Sequence, residues 1–345
     1  MALSLVAQQW VTDVTLLVVE EDSRDRDHNL RGTNKLKIVY YPTYNVHEQI
    51  SNIGHFSNYA AAYCSYTSTP NLNLEILDSI RGDLKKYFDY HLIQALCLQQ
   101  YNVCINELRY YPLYPIFQLI GCKHIVATSN MPLESIYYHY LELLPDIIHN
   151  EIPVVLKIRT KKRQEETSSS KMGIEENYFK NLIKYVIKFI FVNTKSLIDF
   201  EAMSNIYHEK IINIGGIDIQ QNNQTLNRQE TNIFNFASQN NRQIILVTHP
   251  LTILFISHCG INSTLEAVKY GKPLLCVPFM ADQFYNSQAL VSRGVVEIVD
   301  KDDDFEDIGE SIERSLHQNM HYLSELMNDI NPVQTFLEKI AELYD

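Results

Sequence analysis

At 345 residues the chain is long enough for two domains, each with its own core. Hydrophobic residues at 46% against 20% charged place it among globular proteins rather than disordered ones. A formal net charge of −12 excludes a reader of phosphate backbones, which needs clustered Lys and Arg, so nucleic acid is not an expected partner. Any anionic ligand must be held by local geometry.

The opening MALSLVAQQW is apolar but has no basic leading region and is interrupted by Gln8 and Gln9, so it does not read as a signal peptide. No apolar run reaches bilayer-spanning length. On these grounds the chain as written is expected to be soluble and cytoplasmic. VTLLVV (14–19) and LKIVYY (36–41) read as short buried strands by length and branching. In 74–99, Leu77, Ile80, Leu84, Phe88, Leu92 and Leu96 recur at helical spacing. Residues 101–105 and 124–127 are again strand-like, with a helix-like PIFQLIGC between them. This alternation predicts a parallel sheet covered on both faces.

KIRTKKRQEETSSSK (157–171) is polar and reads as a solvated loop. Strand character resumes at 189–193 and 210–216. Gly215-Gly216 followed by DIQQNNQTLNRQET then marks a boundary, giving domains over 1–215 and 216–345. Asn223-Gln224-Thr225 fits a glycosylation acceptor if the chain enters a secretory compartment. Six cysteines include no C-x-x-C pair and no His at metal-ligand spacing, so neither a metal site nor a disulfide framework is expected, and Cys97 and Cys104 read as buried thiols.

IILVTHPLTILFIS (244–257) holds two buried-strand patterns, at 244–247 and 253–257. Parallel neighbours need a crossover of about a dozen residues, which this spacing cannot supply. Either the two pair as a hairpin, against the pattern elsewhere, or a βα unit is missing near 247/248, and the second is the expectation.

The stretch FISHCGINSTLEAVKYGKPLLCVPFMADQFYNSQ is the most specific in the chain. A strand ends at Ser257, and Asn262 opens a helix with Ser and Thr behind it. Gly260 allows a sharp turn and close approach of a ligand. Free N–H groups and the positive end of the helix dipole then converge on one place, an anion site suited to a diphosphate. His258 can donate a ring N–H to a phosphate oxygen, and Ser263 can add a hydroxyl. Glu266, one turn on, is placed to accept from ribose hydroxyls. Asp282 and Gln283, after the next strand, can bind several sugar hydroxyls. Taken singly, Ser263 reads as a helix cap, Asp282 as a loop carboxylate and His258 as a half-buried histidine. Their spacing makes the joint reading the stronger one.

The stretch resembles the signature of the UDP-glycosyltransferases, in particular the animal UDP-glucuronosyltransferase-like branch. The matching positions are His258, Gly260, Asn262, Ser263, Glu266, Ala267, Gly271, Pro273, Pro278, Asp282 and Gln283. FVNTKSLIDF (191–200) and INIGGI (212–217) resemble the family's approach to its domain linker. The resemblance implies an α/β chain of GT-B type with two Rossmann-like domains, the first (1–215) for an acceptor and the second (216–345) for a UDP-sugar. It implies inverting transfer of a hexosyl or glucuronosyl group to a small lipophilic acceptor, with the UDP-sugar as donor substrate and no separate cofactor. Partners would be that UDP-sugar, that acceptor and full-length relatives in an oligomer. In the family a histidine after the first strand takes the acceptor proton and an acid orients it. YNVCINEL (101–108) resembles the strand carrying that acid and places Glu107 at its position. The first strand and its histidine would lie before Met1, while His28, His47 and His55 fall after the second strand. The donor domain is expected to be incomplete near 247/248. The alternative is a non-catalytic UDP-sugar-binding relative, or an incomplete gene model of an active transferase. Family membership would suggest the endoplasmic reticulum membrane.

Overall fold

Val14–Glu20 (β1) and Leu36–Pro42 (β2) run side by side and parallel, in register from Val14 opposite Leu36 to Glu20 opposite Pro42. The structure is a computed structural model. It describes residues 1–20, 34–42, 95–108, 121–143, 180–204, 206–217, 252–300, 308–328 and 331–344, with Tyr114, Phe117, Ile120, Ile219 and Val247 as isolated positions. Among these, residues up to Ala127 and from Phe336 onward make one compact unit; those from Thr128 to Thr335 make the other.

In the first unit the short helix Ala2–Val6 (α1) leads into β1. Lys35 ties that turn together by donating to the carbonyls of Gln8 and Val11, both at 3.0 Å. Val103–Glu107 (β3) follows, and the hydroxyl of Tyr101 donates to Thr15 Oγ1 at 3.2 Å. His124–Ser129 (β4) is buried from Ile125 to its end and lies beside β3, His124 N–H donating to the Asn102 carbonyl at 2.9 Å. Leu96, Cys104 and Ile120 form a small core here, with Tyr101, Phe117 and Cys122 packed on it. Within it Cys104 and Cys122 are joined as a disulfide.

In the second unit the end of β4 continues the sheet: Asn193 N–H donates to the Ser129 carbonyl at 2.8 Å. Ser135–Tyr140 (α2) follows β4. Ile187–Val192 (β5) and Ile211–Asn213 (β6) are parallel neighbours. Between them lie a single 3-10 turn at Ser196–Ile198 and the short helix Glu201–Ser204 (α3). Ile190, Phe191 and Val192 are fully buried, as a central parallel strand requires.

The same unit holds a second parallel sheet, Phe255–Ser257 (β7), Leu274–Cys276 (β8) and Val296–Ile298 (β9), in that order. Helix Ile261–Lys269 (α4) connects β7 to β8, and Gln283–Ser292 (α5) connects β8 to β9. In α4 the buried residues Ile261, Thr264, Leu265, Ala267 and Val268 recur at helical spacing and pack on Leu274, Cys276, Leu290 and Val296. Burying a side chain such as Leu265 stabilises by about 1.5–3 kcal/mol. Gly271 ends α4 at φ +61°: its N–H donates to Val268 and the Lys272 N–H to Ala267, a Schellman stop that needs a left-handed residue. Ile308–Leu316 (α6), Met320–Asn328 (α7) and Pro332–Ala341 (α8) close the chain. No described helix is long and apolar enough to cross a membrane.

The strands expected at 14–19, 36–41, 124–127, 189–193 and 274–277 form, with ends shifted by one or two residues. Of the expected helix over 74–99, residues 95–99 lie among the described residues; 95–97 are helical and 98–99 form a turn. The polar loop at 157–171, Asn223, His28, His47 and His55 lie outside them. So does the 247/248 junction, apart from Val247, which is buried. One expectation is corrected: Cys104 pairs with Cys122 and Cys259 with Cys276. The fold brings together residues 18 and 17 positions apart, a spacing that carries no disulfide signal in the sequence. Cys97, expected to be a buried thiol, is exposed.

Candidate functional site

The site is built where β7 and β8 end. Ser257 closes β7, and its hydroxyl accepts from Cys259 N–H at 3.1 Å. This turns the chain sharply, with Cys259 itself in the left-handed region at φ +60°. Gly260 is the residue before α4, and α4 has no side-chain cap of its own. The exposed ring of His258 lies so close over Gly260 that a Cβ there would meet Nε2 at 2.8 Å. A side chain at 260 would push the histidine ring aside, and the two residues together frame the entrance to the helix N-terminus.

Asn262 and Ser263 occupy the second and third positions of α4, which begins one residue before the Asn262 expected to open it. Their N–H groups belong to the unpaired first turn, the positive end of the helix dipole. Ser263 and Glu266 are three residues apart and share a face of α4, Glu266 exposed and Ser263 half-buried.

The first N–H of α4 is capped from a distance. Asp282, buried at 8% exposure, accepts from Ile261 N–H at 3.2 Å through Oδ2. Asn286, also buried, donates to the same oxygen at 2.7 Å and to the Cys259 carbonyl at 3.1 Å. Gln283 Oε1 accepts from Phe279 N–H at 2.8 Å and Met280 N–H at 2.9 Å, which closes the loop after β8 and leaves its Nε2 as the donor end. His258, Gly260, Asp282 and Gln283 are therefore collected around one helix end. Glu107 ends β3 in the other unit, half-buried, with its carbonyl accepting from the Tyr114 hydroxyl at 3.5 Å. No group of His, Cys, Asp or Glu among the described residues could hold a metal ion.

Three residues that sequence reading missed support this platform. Asn193, following β5, donates to Asn262 Oδ1 at 2.9 Å. Lys195 donates to the Met327 carbonyl in the last turn of α7 at 3.0 Å. Burial, with the charge of Lys269 added, lowers its ammonium to about 8. Asp199 accepts from the Tyr285 hydroxyl at 2.6 Å and from Phe200 N–H at 2.8 Å. Burial raises its carboxyl above the usual range, against the lowering effect of the Tyr285 bond. Burial and the Asp199 charge together raise the Tyr285 and Tyr138 phenols. Arg293 fixes the same segment by donating to the Asp199 carbonyl at 2.8 Å and the Ser196 carbonyl at 3.2 Å. The signals these residues offered were the polar run N-T-K-S-L-I-D directly after a buried strand and its place in the family-like stretch FVNTKSLIDF.

Residues 219–335 match the family model described as "UDP-glucoronosyl and UDP-glucosyl transferase". Curated relatives match over short stretches. Solanidine UDP-glucose glucosyltransferase 1 of Solanum tuberosum is 43% identical over 53 residues, 15% of this chain and 11% of that protein. UDP-glucose flavonoid 3-O-glucosyltransferase 6 of Fragaria ananassa is 35% identical over 105 residues, 29% of this chain and 22% of that protein. Over residues 219–335 the chain is similar to the UDP-glycosyltransferase family. The matched stretches span about a tenth to a fifth of these relatives' length. Both are plant proteins, so neither speaks for the animal branch. Among solved structures, LpCGTa in complex with UDP is similar at a TM-score of 0.55 and 13% identity, over 95% of this chain and 92% of that one. At that identity the likeness speaks for the fold alone, and the fold is GT-B, as the resemblance implied.

Proposed function

We propose that this chain binds a UDP-sugar at the N-terminus of α4 and transfers its hexosyl group, with inversion, to a small lipophilic acceptor. The observation that carries the reading is the joint placement of the first turn of α4, the His258–Gly260 turn and the Asp282–Gln283 pair at the carboxyl ends of adjacent parallel strands. In this reading the N–H groups of Asn262 and Ser263, the Ser263 hydroxyl and the His258 ring take the diphosphate. Glu266 accepts from the ribose hydroxyls. Asp282 and the free amide end of Gln283 take the sugar hydroxyls. The UDP-sugar is the donor substrate, and no separate cofactor is invoked. Residues 1–215 would supply the acceptor side, with Glu107 orienting the base.

Titration of the purified full chain with UDP and UDP-glucose tests the binding half, and UDP release in the presence of lipophilic alcohols and phenols tests the transfer half. Saturable binding of both nucleotides, weakened at least about tenfold by Ser263→Ala combined with His258→Ala, is expected from the loss of two donors to a charged ligand. Absence of binding to either nucleotide would overturn the reading. Binding without UDP release for any acceptor would overturn the transfer half alone.

A further inference from the structure

Asn286 stands on α5, one turn after Asp282, and only 3% of it is exposed. Asparagine is a poor choice for a buried helix interior, since it competes for backbone groups and cannot fill an apolar space. Its amide carries two N–H donors in one plane. Here the same nitrogen reaches two acceptors on two different loops. One is the Cys259 carbonyl at 3.1 Å, in the turn after β7; the other is Asp282 Oδ2 at 2.7 Å, after β8. The second bond has a carboxylate acceptor and is correspondingly short. That oxygen also receives Ile261 N–H, the first of α4. A single buried amide thus links the turn that carries His258 and Gly260, the helix end and the carboxylate.

We propose that Asn286 is a positioning residue of the donor site, holding Asp282 and the 258–260 turn in one register so that the diphosphate and the sugar are gripped as a unit. This rests on the donor-site reading above. With Oδ2 engaged by Ile261 and Asn286, Asp282 presents Oδ1 to a sugar hydroxyl from a fixed direction. Loss of Asn286 frees the carboxylate to rotate and leaves the Cys259 carbonyl without its side-chain donor. The consequence falls first on the part of the ligand that Asp282 reads.

The test is a double-mutant cycle on the full chain with Asn286→Ala, Asp282→Ala and the pair, titrated with UDP and with UDP-glucose. Asn286→Ala should weaken UDP-glucose by at least about tenfold and UDP by no more than about threefold, the scale of one bond to a charged group. In the Asp282→Ala background its further effect on UDP-glucose should shrink below about threefold, because the two residues act through one contact. Equal losses for UDP and UDP-glucose, adding independently of Asp282, would overturn the proposal. A second readout needs no ligand. Amide exchange at Ile261 should accelerate about tenfold or more in Asn286→Ala while that of Val296 in β9 stays unchanged. Unaltered exchange at Ile261 would sink the positioning role by itself. Failure of wild type to bind either nucleotide would instead remove the donor-site reading, with the exchange result still deciding whether Asn286 holds the helix end. Should Asn286→Ala not fold, Asn286→Ser, which retains one donor, takes its place with the same two criteria.

Discussion

The side-chain amide of Asn193 donates to Asn262 Oδ1 at 2.9 Å, joining the end of a central strand to the second residue of the donor helix. The same nitrogen lies 3.3 Å from Asn130 Oδ1, and Asn193 Oδ1 accepts from Gly216 N–H at 3.3 Å. Asn193 is 8% exposed, so water offers these partners little substitute. Asn193→Ala should lower unfolding stability by about 1–3 kcal/mol in urea titration. Asn193→Asp keeps the shape but sets a carboxylate against two amide oxygens. It should cost more than the alanine, and an aspartate variant as stable as wild type would contradict the assignment.

Gly260→Ala separates folding from binding. The new methyl would meet the tip of the His258 ring at 2.8 Å, not backbone, so the ring moves and the chain need not. Stability in urea should change by less than about 1 kcal/mol. UDP affinity should fall about tenfold or more by calorimetric titration, since the displaced ring can no longer donate where the helix end points. Unchanged affinity would remove His258 from the anion site.

Asp199 gives the second unit a signed pH response. Burial raises its carboxyl, so the folded chain holds this proton more tightly than the unfolded one. The resulting stability is full below the ordinary Asp value and is lost as pH rises through the raised value. Melting temperatures of wild type and Asp199→Asn, taken from neutral to acidic pH, should differ progressively in favour of wild type as pH falls through that window. A difference independent of pH would show that Asp199 does not titrate across it. Tyr285→Phe removes the bond that opposes the shift, and should extend the response to higher pH.

The Cys259–Cys276 disulfide ties the turn after β7 to the end of β8, across a separation of 17 residues. Closing a loop of this size contributes about 3 kcal/mol through the unfolded chain. Cys276→Ser should lower stability by about that amount under oxidising conditions, and peptide mapping without reductant should recover the two cysteines as one linked pair. A wild-type melting temperature indifferent to reductant would count against the pairing.

Sequence periodicity was enough for β1 to β8 and for α4, because each is set by local rules, while β9 went unread. Buried parallel strands are short branched runs such as VTLLVV, and α4 shows its apolar face every three or four residues and its stop at Gly271. The site's residue types and their order along the chain were legible for the same reason. What escaped was every bond that closes over distance. Asp282 caps α4 from 21 positions downstream, and Asn193 reaches Asn262 across 69. Asp282 was read as a sugar ligand or, singly, as a loop carboxylate, yet one of its oxygens is already committed to the helix. Lys195 and Asp199 were given no role of their own, since nothing in N-T-K-S-L-I-D announces that the fold will bury them.

Asn193, Lys195 and Asp199 all precede Gly216, and their partners Asn262, Met327 and Tyr285 all follow it, within one compact unit. The Gly216 joint is therefore not a free seam for exchanging parts between relatives. A chimera spliced there would pair a foreign helix end with an asparagine shaped for this one, strand a lysine in a pocket without its carbonyl, and leave a buried carboxyl facing a stranger. Grafts that carry 193–199 together with the donor segment should fold and bind nucleotide, whereas those cut at 216 should emerge misassembled, so inheritance of donor preference would follow this joint block rather than the linker.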